Sequence, residues 1–329
     1  MSRVSENSSV NSINYAVGKT KGKVEDLQLK GSTLKRVTKP SDDPVGNIEL
    51  LAIRSQNIDA TQYMRNLSFA QTQLSFTETV VEELTDILVK AKELAIGQAS
   101  SIHSPEIRQG VSKEIHQLRQ QVVSLANKRI GNRYLFSGQK VLTRPFDTDG
   151  KYHGDKSKIN IEINKDVYIP INLTGEELFT SKTKKQVEKS DVDLRLGVDL
   201  NPDTAIQRDP ASVGPQEVKT TIFDELRGLE NALLTDNPHI IQGLLERLDD
   251  SIERVVTHRA EIGALTNTIS NAETNIEKNK LLNEAHKSKI EDADVGELFA
   301  ELQKEQNVLK ATYQASANLM NTSLMDFIR

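Results

Sequence analysis

The sequence predicts a mainly α-helical protein with a small inserted β domain, in which the N- and C-terminal halves together form an elongated helical rod. Apolar residues recur at helical spacing through both ends of the chain, whereas alternating apolar residues are concentrated in its middle. Only 36% of the 329 residues are hydrophobic and 4% are aromatic. That composition favours elongated helical packing over the large filled core of a compact enzyme.

The first predicted helix lies at about residues 10–34, where apolar and small residues follow a three-four spacing. Such a stripe is the seam of a helix that packs against a partner. Gly18, Gly22 and Gly31 each destabilise a helix by about 1 kcal/mol relative to alanine, so we expect this segment to be disordered in the free subunit. The predicted contact residues are Val10, Ile13, Val17, Val24, Leu27 and Leu34.

A turn follows the first helix at residues 38–46. Two prolines and two aspartates in so short a segment end one helix and begin another. We expect Ser41 or Asp42 to cap the second helix, with Pro44 in its first turn. The residues that define the turn are Pro40, Asp42, Asp43 and Pro44.

The second predicted helix continues to about residue 95 on one three-four lattice of apolar residues. Its roughly 50 residues correspond to about 75 Å at 1.5 Å per residue. A third helix follows the turn at 97–105, with its apolar residues from Ile107 to Leu125 facing inward.

The periodicity changes in the middle of the chain. Isoleucines alternate at positions 159, 161 and 163, and apolar residues alternate again from Val167 to Leu173. This pattern predicts a β-hairpin with one buried face. A further alternation at 192–200 suggests another strand, and the proline-containing segment 201–214 is interpreted as a linker.

Helical spacing returns at 218–233 and again from about 239 to 283. The second of these helices would be about 65 to 70 Å long, close to the length predicted for 48–95. Matched lengths suggest that the two long helices lie side by side and bring the two halves of the chain together. The last helix carries the second predicted contact stripe, formed by Leu298, Leu302, Leu309, Leu319, Leu324 and Phe327.

These elements group into three predicted domains. Residues 1–40 with 290–329 form a terminal coiled-coil assembly domain that is disordered in the monomer. Residues 41–135 with 215–289 form a helical rod domain. Residues 136–214 form the β-rich inserted domain and its linker.

The sequence predicts no catalytic, cofactor or metal site. It contains no cysteine, no phosphate-binding loop, no paired-histidine zinc helix and no nucleophile elbow. The aspartates at 147, 149 and 155 fit a β-turn better than a calcium loop. Glu291, Asp292 and Asp294 fit helix caps and helix-dipole partners better than catalytic carboxylates.

The sequence also limits which classes of partner and which cellular compartment we expect for this protein. The net charge of −5 argues against nucleic acid, and the basic N-terminal segment is interpreted as a solvated helix face. No apolar run is long enough to insert into a membrane, and the first 30 residues lack the apolar core of a secretory signal. We expect a soluble protein whose export, if any, uses a route without a cleavable signal.

Five segments of this chain resemble the flagellin superfamily: PSDDPVG at 40–46, the run at 62–84, KELAIGQAS at 92–100, IEDADVGEL at 290–298 and SLMDFIR at 323–329. Two further segments, SLANKRIGNRYLFSGQK at 124–140 and RPFDTDGKYHGD at 144–155, are similar to its hook-filament junction branch. One departure is the run Lys30, Gly31, Ser32, Thr33, where members of the family carry a Ser-Ser-Gly-Lys-like run.

The resemblance implies a flagellin-like fold and a structural role in the bacterial flagellum. Such subunits pass unfolded through the flagellar type III export apparatus, with an export chaperone bound to the C-terminal segment. They then assemble outside the cell with neighbouring copies, as a ring between hook-associated protein 1 and flagellin. The terminal helices form a coaxial coiled coil in the assembly.

Two other functions compete with this one. A flagellin-like filament subunit would form long homopolymers when purified, which separates it from a junction protein. An enzyme with an acidic pair near Glu291 would lose a defined turnover activity when Glu291 and Asp292 are replaced by amides.

Overall fold

The computed structural model describes residues 2–99, 105–184 and 217–327. Among these residues the chain is mainly helical with a small β region inserted in its middle, which confirms the predicted fold class. The strand expected at 192–200 and the linker at 201–214 lie outside the described residues.

Seven helices account for most of the described chain. The long helices at 44–98 and 238–291 have 55 and 54 residues, so the predicted match in length is confirmed. The helices are α1 (Ser2–Thr33), α2 (Pro44–Gln98), α3 (Pro105–Ala126), α4 (Gly175–Phe179), α5 (Ile222–Leu234), α6 (Pro238–Glu291) and α7 (Val295–Phe327).

Within the described ranges, six short strands form three separate antiparallel pairs. The predicted hairpin is confirmed as β3 with β4, in which Ile161 lies opposite Ile169. The pairs β1–β2 and β5–β6 were not predicted. The strands are β1 (Arg129–Ile130), β2 (Arg133–Tyr134), β3 (Asn160–Asn164), β4 (Val167–Pro170), β5 (Thr180–Lys184) and β6 (Glu217–Thr221).

The chain divides into two compact units, and both α2 and α6 contribute residues to each. Unit 1 comprises Met1–Gln62 with Asn275–Arg329, and unit 2 comprises Tyr63–Thr274. In each unit the two long helices run antiparallel. In unit 1 the Asn57 amide donates to Glu284 at 2.8 Å, and in unit 2 Arg259 donates to Glu82 at 2.8 Å.

Unit 2 has a filled core. Leucines and other aliphatic residues of α2, α3, α5 and α6 are buried against one another, among them Leu84, Leu88 and Leu226. Beside them lies an aromatic cluster whose neighbouring ring centroids are 5.0 to 5.5 Å apart. Its members are Phe136, Phe146, Tyr152, Phe179 and Phe223.

Glycine is required where the backbone passes this cluster. Gly150 has a φ of +83°, and a Cβ atom at that position would lie 2.6 Å from the Cβ of Phe223. A side chain would therefore meet both backbone strain and a steric clash.

Glu225 is a buried charged group of unit 2 and is 2% exposed. The Ser251 hydroxyl donates to Glu225 Oε2 at 2.7 Å, and Arg254 Nη2 donates to the same hydroxyl at 2.7 Å. Burial raises the pKa of Glu225 to about 6, although the hydrogen bond from Ser251 and the charges of Arg254 and Arg247 oppose the increase.

Unit 1 is built around α1 and α7, which pack against each other. Helix α1 ends at Thr33, and Leu34 takes a left-handed conformation with a φ of 55°. The turns after α1 and α6 are joined by backbone hydrogen bonds, from Arg36 N to Glu291 O at 2.8 Å and from Ala293 N to Leu34 O at 3.0 Å. No helix among the described residues has the length and apolar character that a bilayer span requires.

Candidate assembly surface

The turn between α1 and α2 is fixed by two aspartates with different roles. Asp43 Oδ1 accepts the Gly46 N–H at 2.8 Å, and Asp42 Oδ2 accepts the N–H groups of Lys39 at 3.0 Å and Thr38 at 3.1 Å. These backbone hydrogen bonds hold the pKa of both carboxyl groups below the usual value. The predicted cap at Ser41 or Asp42 was wrong, because Pro44 is the first helical residue and Asp43 directly precedes it.

Close packing at Gly46 brings α6 against the first turn of α2. A Cβ atom on Gly46 would lie 2.9 Å from Ile290 Cγ2 and 2.7 Å from Asp43 Oδ2. Since neither contact leaves room for a methyl group, glycine is needed for this approach.

Glu291, the last residue of α6, is a buried anion. It accepts hydrogen bonds from Lys35 Nζ at 2.7 Å and Arg54 Nη2 at 3.0 Å, and it is 3% exposed. Burial alone would raise its pKa, but the bond from Lys35 and the positive charges of Lys35, Arg54 and Lys287 together lower it. We call the residues 34–46 and 288–294 the clasp.

The prediction of helix caps at 291–294 was right for one residue and wrong for another. Asp294 Oδ1 accepts the N–H groups of Gly296 at 2.8 Å and Glu297 at 3.2 Å, so it caps α7. Glu291 instead forms the ion pairs of the clasp. Its partners lie more than 200 positions away in the sequence, so no local signal could have identified this role.

The structure brings the two predicted contact stripes together. In α1, Ile13, Val17 and Leu27 are half-buried and Val24 is buried. In α7, Leu298 is buried and Leu302 and Leu309 are half-buried. A salt bridge between Lys23 and Glu305 at 3.3 Å lies alongside. The stripe of each helix therefore packs against the other helix of the same chain.

The remaining predicted contact residues either lie outside the contact between α1 and α7 or have side chains that the structure does not describe. Leu34 lies beyond the end of α1 and is 49% exposed. The side chains of Val10, Leu319, Leu324 and Phe327 are not among those that the structure describes.

Unit 1 also exposes apolar side chains that the sequence analysis missed. On α2, Val45, Ile48 and Ile58 are about 70% exposed, and on α6 Leu281 is 72% exposed. Residues 45, 48 and 51 are apolar and repeat at three-residue spacing. They lie on a different face of α2 from the buried Leu50 and Ile53, so this second apolar stripe could have identified the exposed face from the sequence. We call Val45, Ile48, Leu51 and Ile58 the α2 apolar face. Exposed apolar patches of this kind mark sites of protein association.

The middle aspartates stabilise turns, as predicted. Asp147 Oδ1 accepts the N–H groups of Asp149 at 3.0 Å and Lys151 at 2.8 Å. Asp155 carboxylate oxygens accept the N–H groups of Gln139 and Ser157, both at 2.9 Å. Among the residues that the structure describes, no group of three or more acidic, histidine or cysteine side chains is placed to hold a metal ion.

Comparison with known families gives two matches within this chain. Residues 4–141 match the bacterial flagellin N-terminal helical region, and residues 245–328 match the bacterial flagellin C-terminal helical region. Together these segments cover about two thirds of the sequence and include every helix of unit 1.

Individual proteins are similar over nearly the whole chain. Flagellar hook-associated protein 3 of Salmonella typhimurium is 26% identical over 95% of this chain and 96% of its own length. The Escherichia coli protein of the same name is 27% identical over 89% of each chain. A flagellar filament 33 kDa core protein of Treponema phagedenis is 23% identical over 95% of each.

A solved structure shares the fold. The structure of a putative flagellar hook-associated protein from Vibrio parahaemolyticus superimposes with a TM-score of 0.60. The match covers 76% of this chain and all of that one at 19% identity.

Proposed function

This chain belongs to the flagellin family, and we propose that it is the structural adaptor that joins hook to filament in the bacterial flagellum. The family is structural rather than enzymatic, which confirms the prediction that the protein is not an enzyme. The observation that carries the proposal is the end-to-end similarity to two hook-associated proteins 3, which extends through the middle of the chain as well as the helical termini.

Unit 1 provides the surface that such an adaptor needs. Its α1 and α7 stripes pack together, while the α2 apolar face remains exposed beside the clasp. Burying a valine, leucine or isoleucine contributes about 1.5 to 3 kcal/mol, so covering this face in an assembly would be strongly favourable. We propose that neighbouring copies cover it within a ring, with hook-associated protein 1 on one side and flagellin on the other.

The three-domain division follows the same proposal. Residues 1–40 with 290–329 act as the terminal assembly domain, residues 41–135 with 215–289 as the helical rod, and residues 136–214 as the inserted domain. The terminal domain is disordered before assembly, and its C-terminal segment binds the export chaperone. The subunit works outside the cell and reaches the flagellum through type III export without a cleavable signal.

The test is a strain that lacks the gene for this protein. We expect it to build hooks, to release flagellin into the medium and to lose motility, and we expect the full-length gene to restore filaments. A truncated gene encoding residues 1–289 should not restore them, because α7 is missing. Cells without the protein that still carry normal filaments would refute the adaptor role.

The alternative is a filament subunit, which the similarity to the Treponema filament protein favours. Electron microscopy of the purified subunit separates the two functions. Long homopolymers would support a filament subunit, whereas an adaptor should not extend beyond short assemblies.

A further inference from the structure

In unit 2, α3 and α6 occupy opposite corners of a four-helix arrangement. Helix α3 contacts α2 through Lys90 and Glu114 at 2.9 Å and contacts α5 through Arg119 and Glu230 at 3.2 Å. Helix α6 contacts the same two helices, α2 through the salt bridge of Lys92 with Asp249 and α5 through the hydrogen bond of Ser251 to Glu225. The outward faces of α3 and α6 therefore point away from each other.

A basic cleft opens on the outer side of α3, at its C-terminal end. The cleft has a volume of about 390 Å³, and it is lined by Gln120 of α3 and Asn127 just after the end of α3, together with Arg129, Tyr134 and Arg144. The Arg129 guanidinium lies 4.8 Å from the centre of the Tyr134 ring, which holds that charge at the edge of the cleft. Both arginines are exposed.

Asp155 lies close to Lys140, whereas the two arginines that line the cleft form no ion pair with a described residue. Residues 115–146 contain no aspartate or glutamate. Within the described part of the chain, none of the five basic residues of the segment 128–144 forms an ion pair. These residues are Lys128, Arg129, Arg133, Lys140 and Arg144.

The outer face of α6 has the opposite charge. Glu246, Asp250 and Glu253 follow i, i+4, i+7 spacing, are exposed, and lie on the side of the helix opposite the buried Leu248 and Val255. None of the three carboxylates forms an ion pair with another described residue. We call these three residues the acidic stripe.

We propose that the basic cleft of one copy receives the acidic stripe of the next copy, which makes a head-to-tail lateral contact between subunits. A contact between two different faces of one chain produces a closed ring or a helix, whereas two basic clefts would repel each other. The inference rests on the proposed function, since only an assembled ring brings copies side by side.

Cross-linking tests the contact directly, because the natural chain has no cysteine. A variant with both Arg144→Cys and Asp250→Cys is expressed in flagellated cells, and a short bis-maleimide is added to isolated flagella. We expect a ladder of linked subunits from the double variant and only monomers from either single variant. Equal ladders from the single variants, or no ladder from the double variant, would overturn the proposal.

Charge reversal tests whether incorporation into flagella depends on the contact. We expect Arg129→Glu with Arg144→Glu to reduce incorporation into flagella by tenfold or more, and Glu246→Lys with Asp250→Lys to do the same. Combining all four changes should restore incorporation, which also shows that each altered chain folds. Lys113→Glu on α3 and Glu273→Lys on α6 are matched controls, because both residues are exposed and outside the contact.

The outcomes distinguish this contact from the adaptor role. If the deletion strain sheds flagellin but both reversals incorporate normally, the adaptor role stands and the contact is wrong. If the four changes together fail to restore incorporation and titrated inorganic phosphate protects the cleft from an arginine-modifying reagent, the cleft binds a small anion instead.

Discussion

Phe136, Phe146, Phe179 and Phe223 of unit 2 are at most 1% exposed, whereas Val45, Ile48 and Ile58 of unit 1 are about 70% exposed. Unit 2 buries these aromatic side chains within one chain, although other large apolar side chains of unit 2, such as Phe76 and Leu142, are exposed. Unit 1 leaves comparable side chains in contact with solvent, although its helices pair along one stripe. The contrast supports the proposal that other chains complete unit 1, whereas this chain alone fills the core of unit 2.

The two units also differ in how acid affects them. In unit 2 the pKa of Glu225 is raised, so the folded chain takes up a proton before the unfolded chain does and becomes more stable as the pH falls towards 4.5. In unit 1 the pKa values of Asp42, Asp43 and Glu291 are lowered. Their contribution to stability is present at neutral pH and is lost as the pH falls below the usual carboxyl range.

The largest expected effect is on the aromatic cluster. Phe146→Ala should reduce the free energy of unfolding of unit 2 by about 3 to 5 kcal/mol, because it leaves a cavity beside Phe179 and Phe223. Chemical denaturation of the purified subunit measures this loss. Phe76→Ala is the control, since that ring is 51% exposed and its removal should cost much less. Equal losses in the free energy of unfolding for the two variants would show that buried and exposed apolar residues contribute alike, which contradicts the comparison.

The next effect is the pH dependence of unit 2. Moving the pKa of Glu225 from about 4.5 to about 6 corresponds to about 2 kcal/mol of stability that is gained between pH 7 and pH 4.5. Glu225→Gln should remove this gain, because an amide does not titrate. Denaturation midpoints at pH 7, 6, 5 and 4.5 provide the test. A variant whose stability still rises by the same amount on acidification would show that another group is responsible.

A smaller effect is expected at the clasp. Glu291→Gln should destabilise it by about 1.5 kcal/mol at pH 7, since Lys35 and Arg54 lose their shared anion. Hydrogen exchange of the Arg36 amide, which donates to Glu291 O, reports this local opening when it is measured on isolated flagella. Glu284→Gln on the same helix is the control, because that carboxylate is exposed. Unchanged exchange at Arg36 would mean that the backbone hydrogen bonds alone hold the clasp closed.

The smallest effect on the free subunit is expected from Leu27→Ala. This residue is half-buried against α7, and its truncation should cost about 2 to 5 kcal/mol where assembly buries it fully. The thermal midpoint of the monomer should barely change, while incorporation into flagella should fall. Leu29→Ala, at an exposed position of α1, serves for comparison. If the monomer were destabilised as much as the assembly, unit 1 would not depend on other chains.

The sequence predicted those parts of the fold in which apolar residues recur at a regular spacing. The three-four lattice from Leu50 to Ala95 identified α2, and the alternation on either side of residue 165 identified the β3–β4 hairpin. The β1–β2 pair has only two residues in each strand, which is too short for any period to be visible. Strands β5 and β6 are rich in lysine and threonine and lack an apolar alternation.

The surface was less predictable than the fold for a physical reason. The contact stripes of α1 and α7 could be found because each stripe is continuous in sequence. The clasp depends on Glu291 meeting Lys35 and Arg54, which only the folded chain brings together. The cap at Asp43 did have a local signal, namely its position directly before a proline at the helix start.

The clasp also has a consequence for the order in which the molecule folds. Lys35 and Glu291 are 256 positions apart, and Lys23 and Glu305 are 282 apart, whereas Arg119 and Glu230 of the α3–α5 pair are separated by 111. Contacts that close longer loops are formed more slowly. During refolding of the free subunit, amides of α3 and α5 should gain protection first, and those of α1 should gain it only when the subunit assembles. The subunit therefore acquires its terminal helix pair only after the bundle that carries it already exists.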